Sequence, residues 1–121
     1  MKIKETPIAG LLLIEPRIIS DSRGNFFESF NERTLRDAGI SFGFVQDNQS
    51  ISKKGVIRGL HFQRQPYDQG KLVRVIKGSV IDVALDLRKD SSTFGRHYDI
   101  ELNDRNNFML WIPPGFAHGF S

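Results

Sequence analysis

The sequence predicts an all-β sandwich or barrel. Short segments rich in β-branched and aromatic residues recur between turn-forming residues, which is the pattern of strands joined by tight connections. Only one segment has the residues of a helix. The 121 residues suffice for one domain with a hydrophobic core, and no linker divides them. We therefore predict a single domain over residues 1–121.

Six segments have strand composition, namely residues 11–14, 26–30, 71–76, 79–86, 97–102 and 108–112. The fourth segment is the most informative, because side chains alternate along a strand and Asp82, Ala84 and Asp86 fall on one face. A face lined with carboxylates points either into a polar cavity or at solvent. The alternation alone leaves both open.

The single helical segment covers residues 32–38. Asn31 is a typical N-cap, since its side chain can accept a hydrogen bond from the first turn, and Gly39 is a typical stop. Residues 77–78 indicate a hairpin turn, and residues 87–95 indicate a longer polar connection.

Composition excludes several classes of protein. Hydrophobic residues make up 39% and charged residues 26% of the chain, which predicts a folded domain rather than a disordered one. Without cysteine, the chain forms neither disulfide bonds nor thiolate metal sites. The longest apolar run, residues 8–14, is too short to cross a bilayer, and no charged leader precedes it. We expect a cytoplasmic protein without a membrane partner.

The net charge of +3 indicates a mild preference for anions. The 17 lysine and arginine residues are scattered among 14 acidic ones, and no nucleic-acid-binding motif accompanies them. A small anionic ligand therefore fits better than a nucleic acid, and we expect no nucleic-acid partner.

Two histidine-containing stretches resemble the motifs of the cupin superfamily, whose members are small β-barrels of jelly-roll type. The first runs from Gly55 to His61, and the second has the pattern Pro-x-Gly-x-x-His over residues 113–118. In metal-binding cupins the first motif continues with a second histidine and then a glutamate. Those positions hold Gln63 and Lys71 here.

An ammonium group at Lys71 repels the divalent cation that a carboxylate would bind, so we expect neither a metal nor another cofactor. The same side chains suit proton abstraction next to a carbonyl group. A neutral histidine takes the proton, and a fixed cation stabilises the enolate that forms. The alternative for each residue is structural: His61 as core filler, Lys71 as a surface lysine and His118 as a turn residue.

Two further stretches have residues that suit a nucleotide. Arg23 can make a bidentate contact with phosphate, Phe26 can stack on a base, and Glu28 can accept hydrogen bonds from a heterocycle. Gln46 and Asn48 have amides able to pair with a pyrimidine edge. The alternatives are a surface hairpin and an ordinary polar turn.

In combination, these motifs resemble those of the dTDP-4-dehydrorhamnose 3,5-epimerases of the dTDP-L-rhamnose pathway. The resemblance rests on residues 21–28, 46–50, 58–63, 71–73, 82–88 and 112–120. It implies a cupin-type jelly-roll barrel, a homodimer that needs no metal, and a dTDP-4-keto-6-deoxyhexose substrate. The implied reaction inverts C3 and C5 of dTDP-4-dehydro-6-deoxy-D-glucose through an enolate and gives dTDP-4-dehydro-L-rhamnose.

The resemblance also implies roles for individual residues. His61 is the base that removes the proton at C3 or C5, and Lys71 holds the enolate oxygen. Arg58 and His118 line the region of the sugar and diphosphate. Five residues hold the dTDP moiety, some of them across the dimer interface: Arg23, Phe26, Glu28, Gln46 and Asn48. Asp82 is a candidate to orient one of the histidines, a role inferred from its strand face more than from the family.

The chain is expected to lack the C-terminal portion of such an epimerase domain. Residues 113–121 are apolar and dense in motif residues, whereas natural domain ends are usually polar. The family has a tyrosine that returns the proton and an aspartate that pairs with the catalytic histidine, and neither Tyr67 nor Tyr98 stands at the matching place. We therefore expect an exposed sheet edge or an exchange of segments with a partner chain.

Other functions remain open. A 3-epimerase, a 5-epimerase or a 3,4-ketoisomerase acting on a dTDP-4-keto-6-deoxyhexose needs the same base and cation. A non-catalytic nucleotide-sugar-binding cupin and a metal-dependent cupin isomerase or dioxygenase are the remaining alternatives.

Overall fold

The computed structural model describes residues 1–41 and 43–121. Within these ranges the chain forms ten strands and one short helix, so the all-β prediction is confirmed. The elements are β1 (Lys2–Glu5), β2 (Leu12–Glu15), β3 (Ile19–Asp21), β4 (Gly24–Phe26), α1 (Glu32–Asp37), β5 (Arg58–His61), β6 (Lys71–Arg74), β7 (Ser79–Asp86), β8 (His97–Asn103), β9 (Met109–Ile112) and β10 (Phe116–Phe120).

Two antiparallel sheets carry the fold. The first sheet has the order β1-β2-β9-β6 and the second has the order β5-β10-β7-β8, while β3 and β4 form a separate hairpin. The two large sheets pack face to face, because Leu110 and Ile112 of the first lie in one buried apolar cluster with Ala84 and Leu102 of the second. This arrangement confirms the predicted cupin-type jelly roll.

The helix α1 covers the outer face of the first sheet. Asn31 caps it, because its side-chain oxygen accepts a hydrogen bond from the backbone N–H of Thr34 at 3.0 Å. Gly39 follows the helix with φ of +87°. Leu35 is buried against Trp111 in a second apolar cluster on this outer face. The predicted helix, N-cap and stop are confirmed.

The strand β7 has the alternation that its sequence predicts. Asp82, Ala84 and Asp86 are fully buried on the face directed between the sheets. The register of β10 places His118 opposite Ala84 and Phe120 opposite Asp82. The two carboxylates therefore point inward and not at solvent.

Some local predictions are wrong. Residues 26–30 do not form a strand, since β4 ends at Phe26, whose side chain is 71% exposed. Residues 77–78 do not close a hairpin, because β6 and β7 belong to different sheets. The strand pattern also missed β1, β3, β5 and β10. Gly59 and Gly119 interrupt the strand-like composition of β5 and β10, because glycine is uncommon inside strands.

Candidate functional site

The strand registers bring the predicted catalytic histidine into a shared space with other polar groups. His61 lies directly opposite His118 across the β5–β10 pairing, and His118 lies opposite Ala84 across the β10–β7 pairing. Directly opposed residues point to the same face of a sheet. His61 and His118 therefore share the inner face of the second sheet with Asp82.

Lys71 approaches the same space from the first sheet. It pairs with Ile112, and Val73 pairs with Leu110. Since those three apolar side chains belong to the cluster between the sheets, alternation directs Lys71 to that side as well. Lys71 is half-buried, and its ammonium makes no hydrogen bond or ion pair with any residue in 1–41 or 43–121. This cation is therefore available for an anionic oxygen.

His118 and Asp82 form a hydrogen-bonded pair. The distance from Nε2 of His118 to Oδ1 of Asp82 is 2.8 Å, and the His118 side chain is 12% exposed. An ionised carboxylate only accepts hydrogen bonds, so Nε2 donates and the ring orientation is fixed. The second oxygen, Oδ2, is buried without a hydrogen-bond partner among the described residues. The hydrogen bonding of this carboxylate is thus directed at His118.

Arg58 begins β5 and lies opposite Phe120. Its guanidinium Nε donates a hydrogen bond to Oγ of Ser52 at 2.9 Å. Arg58 and His61 are both exposed, so a ligand can reach them. Four predicted site residues and the predicted orienting residue are therefore placed around the space between the sheets.

The five residues predicted to hold a nucleotide are not brought to this space. They are exposed and lie outside the two large sheets: Arg23, Phe26, Glu28, Gln46 and Asn48. The Arg23 guanidinium donates to the Asp21 carboxylate at 2.6 Å and holds the pKa of Asp21 below its ordinary value. Gln46 donates to the side-chain oxygen of Asn48 at 3.1 Å. In the described part of the chain, no hydrogen bond joins this group to His61 or Lys71.

Sequence reasoning missed a polar cluster next to the site. Burial opposes ionisation of Asp86, yet hydrogen bonds from Arg88, Ser91 and Thr93 outweigh it and hold the pKa of Asp86 well below its ordinary value. Arg88 also lies 4.7 Å from the ring centre of Phe116, the first residue of β10. The cluster therefore anchors the strand that carries His118. Its sequence signal was the second carboxylate on the inner face of β7.

The strand β5 forms one edge of the second sheet. Apolar side chains on and before it are exposed: Val45 (98%), Ile51 (88%), Ile57 (77%) and Leu60 (50%). An exposed apolar surface of this kind commonly marks a binding surface.

Two further observations concern the described residues as a whole. No group of three or more histidine, aspartate or glutamate side chains within 1–41 and 43–121 is placed to hold a metal ion. No helix in these ranges has the length and apolar character needed to cross a membrane.

Comparisons with known proteins agree with one another. The family model described as dTDP-4-dehydrorhamnose 3,5-epimerase matches residues 5–121. The dTDP-4-dehydrorhamnose 3,5-epimerase of Shigella flexneri is 52% identical over 121 residues, which cover 99% of this chain and 67% of the relative.

Solved structures give the same result. The dTDP-6-deoxy-D-glucose-3,5-epimerase of Legionella pneumophila, in complex with dTDP-4-keto-L-rhamnose, has a TM-score of 0.92 at 50% identity over 98% of this chain and 63% of its own. The dTDP-4-dehydrorhamnose 3,5-epimerase of Bacillus anthracis, with TDP and PPi bound, has a TM-score of 0.94 at 47% identity, with 98% and 69% covered. The chain thus spans about two thirds of its relatives' length.

Proposed function

Because the chain belongs to the dTDP-4-dehydrorhamnose 3,5-epimerase family, we propose that the protein is an isomerase that inverts C3 and C5 of dTDP-4-dehydro-6-deoxy-D-glucose. The product is dTDP-4-dehydro-L-rhamnose, and the reaction needs neither a metal nor another cofactor. The observation that carries this proposal is the pairing of His61 with His118 on the sheet face directed toward Lys71.

In this proposal His61 is the base. The protons at C3 and C5 are acidic because the C4 ketone delocalises the negative charge that their removal creates. A neutral imidazole suits this proton transfer near neutral pH. The exposure of His61 supports the assignment, since the sugar ring must approach the imidazole closely.

Lys71 stabilises the enolate. Negative charge develops on the C4 oxygen as the proton leaves, and a fixed cation lowers the energy of that state more than the energy of the neutral ketone. The ammonium of Lys71 has no counter-ion among the described residues, which supports this role. An ammonium already paired with a carboxylate would stabilise the oxyanion far less.

Arg58 and His118 bind the sugar and diphosphate region. A guanidinium makes bidentate contacts with phosphate oxygens, and the imidazole of His118 offers its second ring nitrogen to the ligand. Asp82 orients His118 through the 2.8 Å hydrogen bond. The proton returns to the opposite face of the sugar from an acid other than His61, Lys71 and His118.

The dTDP moiety is held by the exposed group of Arg23, Phe26, Glu28, Gln46 and Asn48, with some contacts made across a homodimer interface. The exposed apolar side chains around β5 supply surface for a second copy of the chain. The ligand in the Legionella relative supports a dTDP-4-keto-6-deoxyhexose as substrate. We place this single-domain enzyme in the cytoplasm, as predicted from the sequence.

Solvent deuterium exchange tests the proposal. In D2O the wild-type protein is expected to exchange protons at both C3 and C5 of the substrate, and His61→Asn is expected to stop both exchanges while dTDP still binds. His97→Asn is the matched control, because His97 is exposed on β8 at the other edge of the sheet. Unchanged exchange in His61→Asn would refute the assigned base.

The same experiment separates the alternatives. Exchange at only one carbon, with NMR identification of the product, would indicate a monoepimerase. Tight dTDP binding by the wild-type protein without any exchange would indicate a binding protein.

A further inference from the structure

The pairing of β5 with β10 contains a β-bulge. Two residues of β5 stand opposite one residue of β10, because the register shifts between His118 and Phe120. The two residues are Gly59 and Leu60, and the single residue is Gly119. The bulge therefore lies between Arg58 and His61 in the chain.

This bulge decides which way two of the proposed site residues point. Arg58 and His61 are three positions apart, and in a regular strand such residues point to opposite faces. Here Arg58 lies opposite Phe120, which in turn lies opposite the inward-facing Asp82. The extra residue thus brings Arg58 to the same sheet face as His61.

The bulge depends on two glycines whose backbones touch. A Cβ atom at Gly59 would lie 2.6 Å from Cα of Gly119 and 2.8 Å from the carbonyl oxygen of His118. A Cβ atom at Gly119 would lie 2.5 Å from the carbonyl oxygen of Arg58. Real Cβ atoms essentially never have contacts under 3.0 Å, and backbone atoms cannot swing aside as a side-chain end can. A side chain at either position must separate the strands.

We propose that Gly119 is a positioning residue for His61 and Arg58, which it holds in place through its close contact with β5. The inference rests on the proposed function, because it takes the roles of His61 and Arg58 from it. Gly119 lies on a different strand and has no reactive group. It acts only by allowing the backbone of β5 to come near.

Gly119→Ala isolates this contact. Gly59 has φ of +114°, so alanine there would also strain the backbone, whereas Gly119 has no such φ. An alanine Cβ at position 119 would lie 2.5 Å from the carbonyl oxygen of Arg58, and it reaches the 3.4 Å of ordinary van der Waals contact only if the strands separate by about 0.9 Å. A misplacement of about 1 Å costs roughly 100-fold in rate, which is the loss of exchange that we expect.

The experiment uses the complete protein and three variants: Gly119→Ala, His61→Asn and the control Gly43→Ala. A Cβ atom at Gly43 meets nothing within 4 Å. We expect Gly119→Ala to melt cooperatively, to lose exchange rate and to lose part of its dTDP affinity, because Arg58 moves together with His61. Gly43→Ala is expected to match wild type, and His61→Asn identifies the imidazole signals of His61.

NMR gives a readout that does not depend on activity. In Gly119→Ala the imidazole signals of His61 are expected to shift, while those of His97 on β8 stay in place. If the wild-type protein shows no exchange but Gly119→Ala still shifts the His61 signals, the positioning of His61 by Gly119 is supported and the proposed function is refuted.

Two results would overturn the positioning role. The first is wild-type exchange with unshifted His61 signals in Gly119→Ala. The second is loss of cooperative melting in that variant, which would leave Gly119 only a role in the fold.

Discussion

Replacing Asp86 by asparagine tests the polar cluster that joins the end of β7 to the start of β10. The carboxylate is fully buried and accepts hydrogen bonds from Arg88, Ser91 and Thr93. Asparagine keeps one acceptor oxygen in nearly the same shape. Its NH2 group, however, would face the Arg88 guanidinium where Oδ2 now accepts a hydrogen bond at 2.9 Å. Two groups of donors would then face each other.

The magnitude follows from the exposure of the two partners. Breaking a buried ion pair by removing one partner costs about 3 to 5 kcal/mol. The lower end applies, about 3 kcal/mol, because the Arg88 side chain is 31% exposed and water can solvate it once the pair is lost. In a domain of this size each kcal/mol lowers Tm by about 4 °C, so we expect a decrease of about 12 °C.

Urea unfolding at pH 7, followed by circular dichroism at one protein concentration, measures the effect. The control is Asp90→Asn, which removes the same charge from an exposed carboxylate in the same connection. The control is expected to change the free energy of unfolding by less than about 0.5 kcal/mol. Equal stability of Asp86→Asn and Asp90→Asn would refute the reasoning.

The pH dependence of the free energy of unfolding provides an independent test that ionised Asp86 stabilises the fold. The pKa of Asp86 is lowered in the folded protein, while in the unfolded chain it has the ordinary value of about 3.9. The contribution of the ionised group is therefore fully present above the unfolded pKa and is lost as pH falls toward the folded one. The stability gap between wild type and Asp86→Asn should stay constant from about pH 7 to pH 5 and narrow below about pH 4. A gap that widens in acid would contradict this.

Other perturbations probe separate parts of the molecule. Asp82→Asn is expected to slow exchange at C3 and C5 by roughly 10- to 100-fold, because an amide can donate to His118 as well as accept and no longer fixes its tautomer. An unchanged rate would contradict the orienting role. Asn31→Ala should lower the free energy of unfolding by about 1 kcal/mol in urea, since the N–H of Thr34 loses its acceptor, and an unaltered curve would show that the cap contributes nothing. Dialysis against EDTA should leave exchange unchanged, because Lys71 stands where a metal-binding carboxylate would be, whereas a loss restored by a divalent metal would revive a metal-dependent mechanism.

Local sequence patterns correctly predicted those features that depend on residues close together in the chain. The cap and stop around α1 and the alternation along β7 are local signals, and both were confirmed. The hairpin expected at residues 77–78 was wrong, because the partner of a strand is set by packing between distant segments. The residues of this turn are the same whether the chain returns along the same sheet or crosses to the other one.

In the site, too, local sequence signals predicted residue types, whereas contacts between distant segments decided which residues meet. Sequence reasoning expected Asp82 to orient one of the histidines, but the choice of His118 follows from the register of β10 on β7. The common face of Arg58 and His61 follows from the register shift between β5 and β10, which no local pattern predicted. The only local trace of the bulge was a glycine within the motif. The catalytic and binding roles themselves remain predictions.

The base and the cation of the proposed mechanism lie on different sheets. His61 belongs to the second sheet and Lys71 to the first, so no single strand fixes their separation. Packed sheets lie about 10 Å apart, and the spacing here depends on the side chains of the buried cluster, which include Ala84, Val73 and Leu110. The volumes of these apolar side chains therefore help to set the distance between the strand that carries the base and the strand that carries the cation.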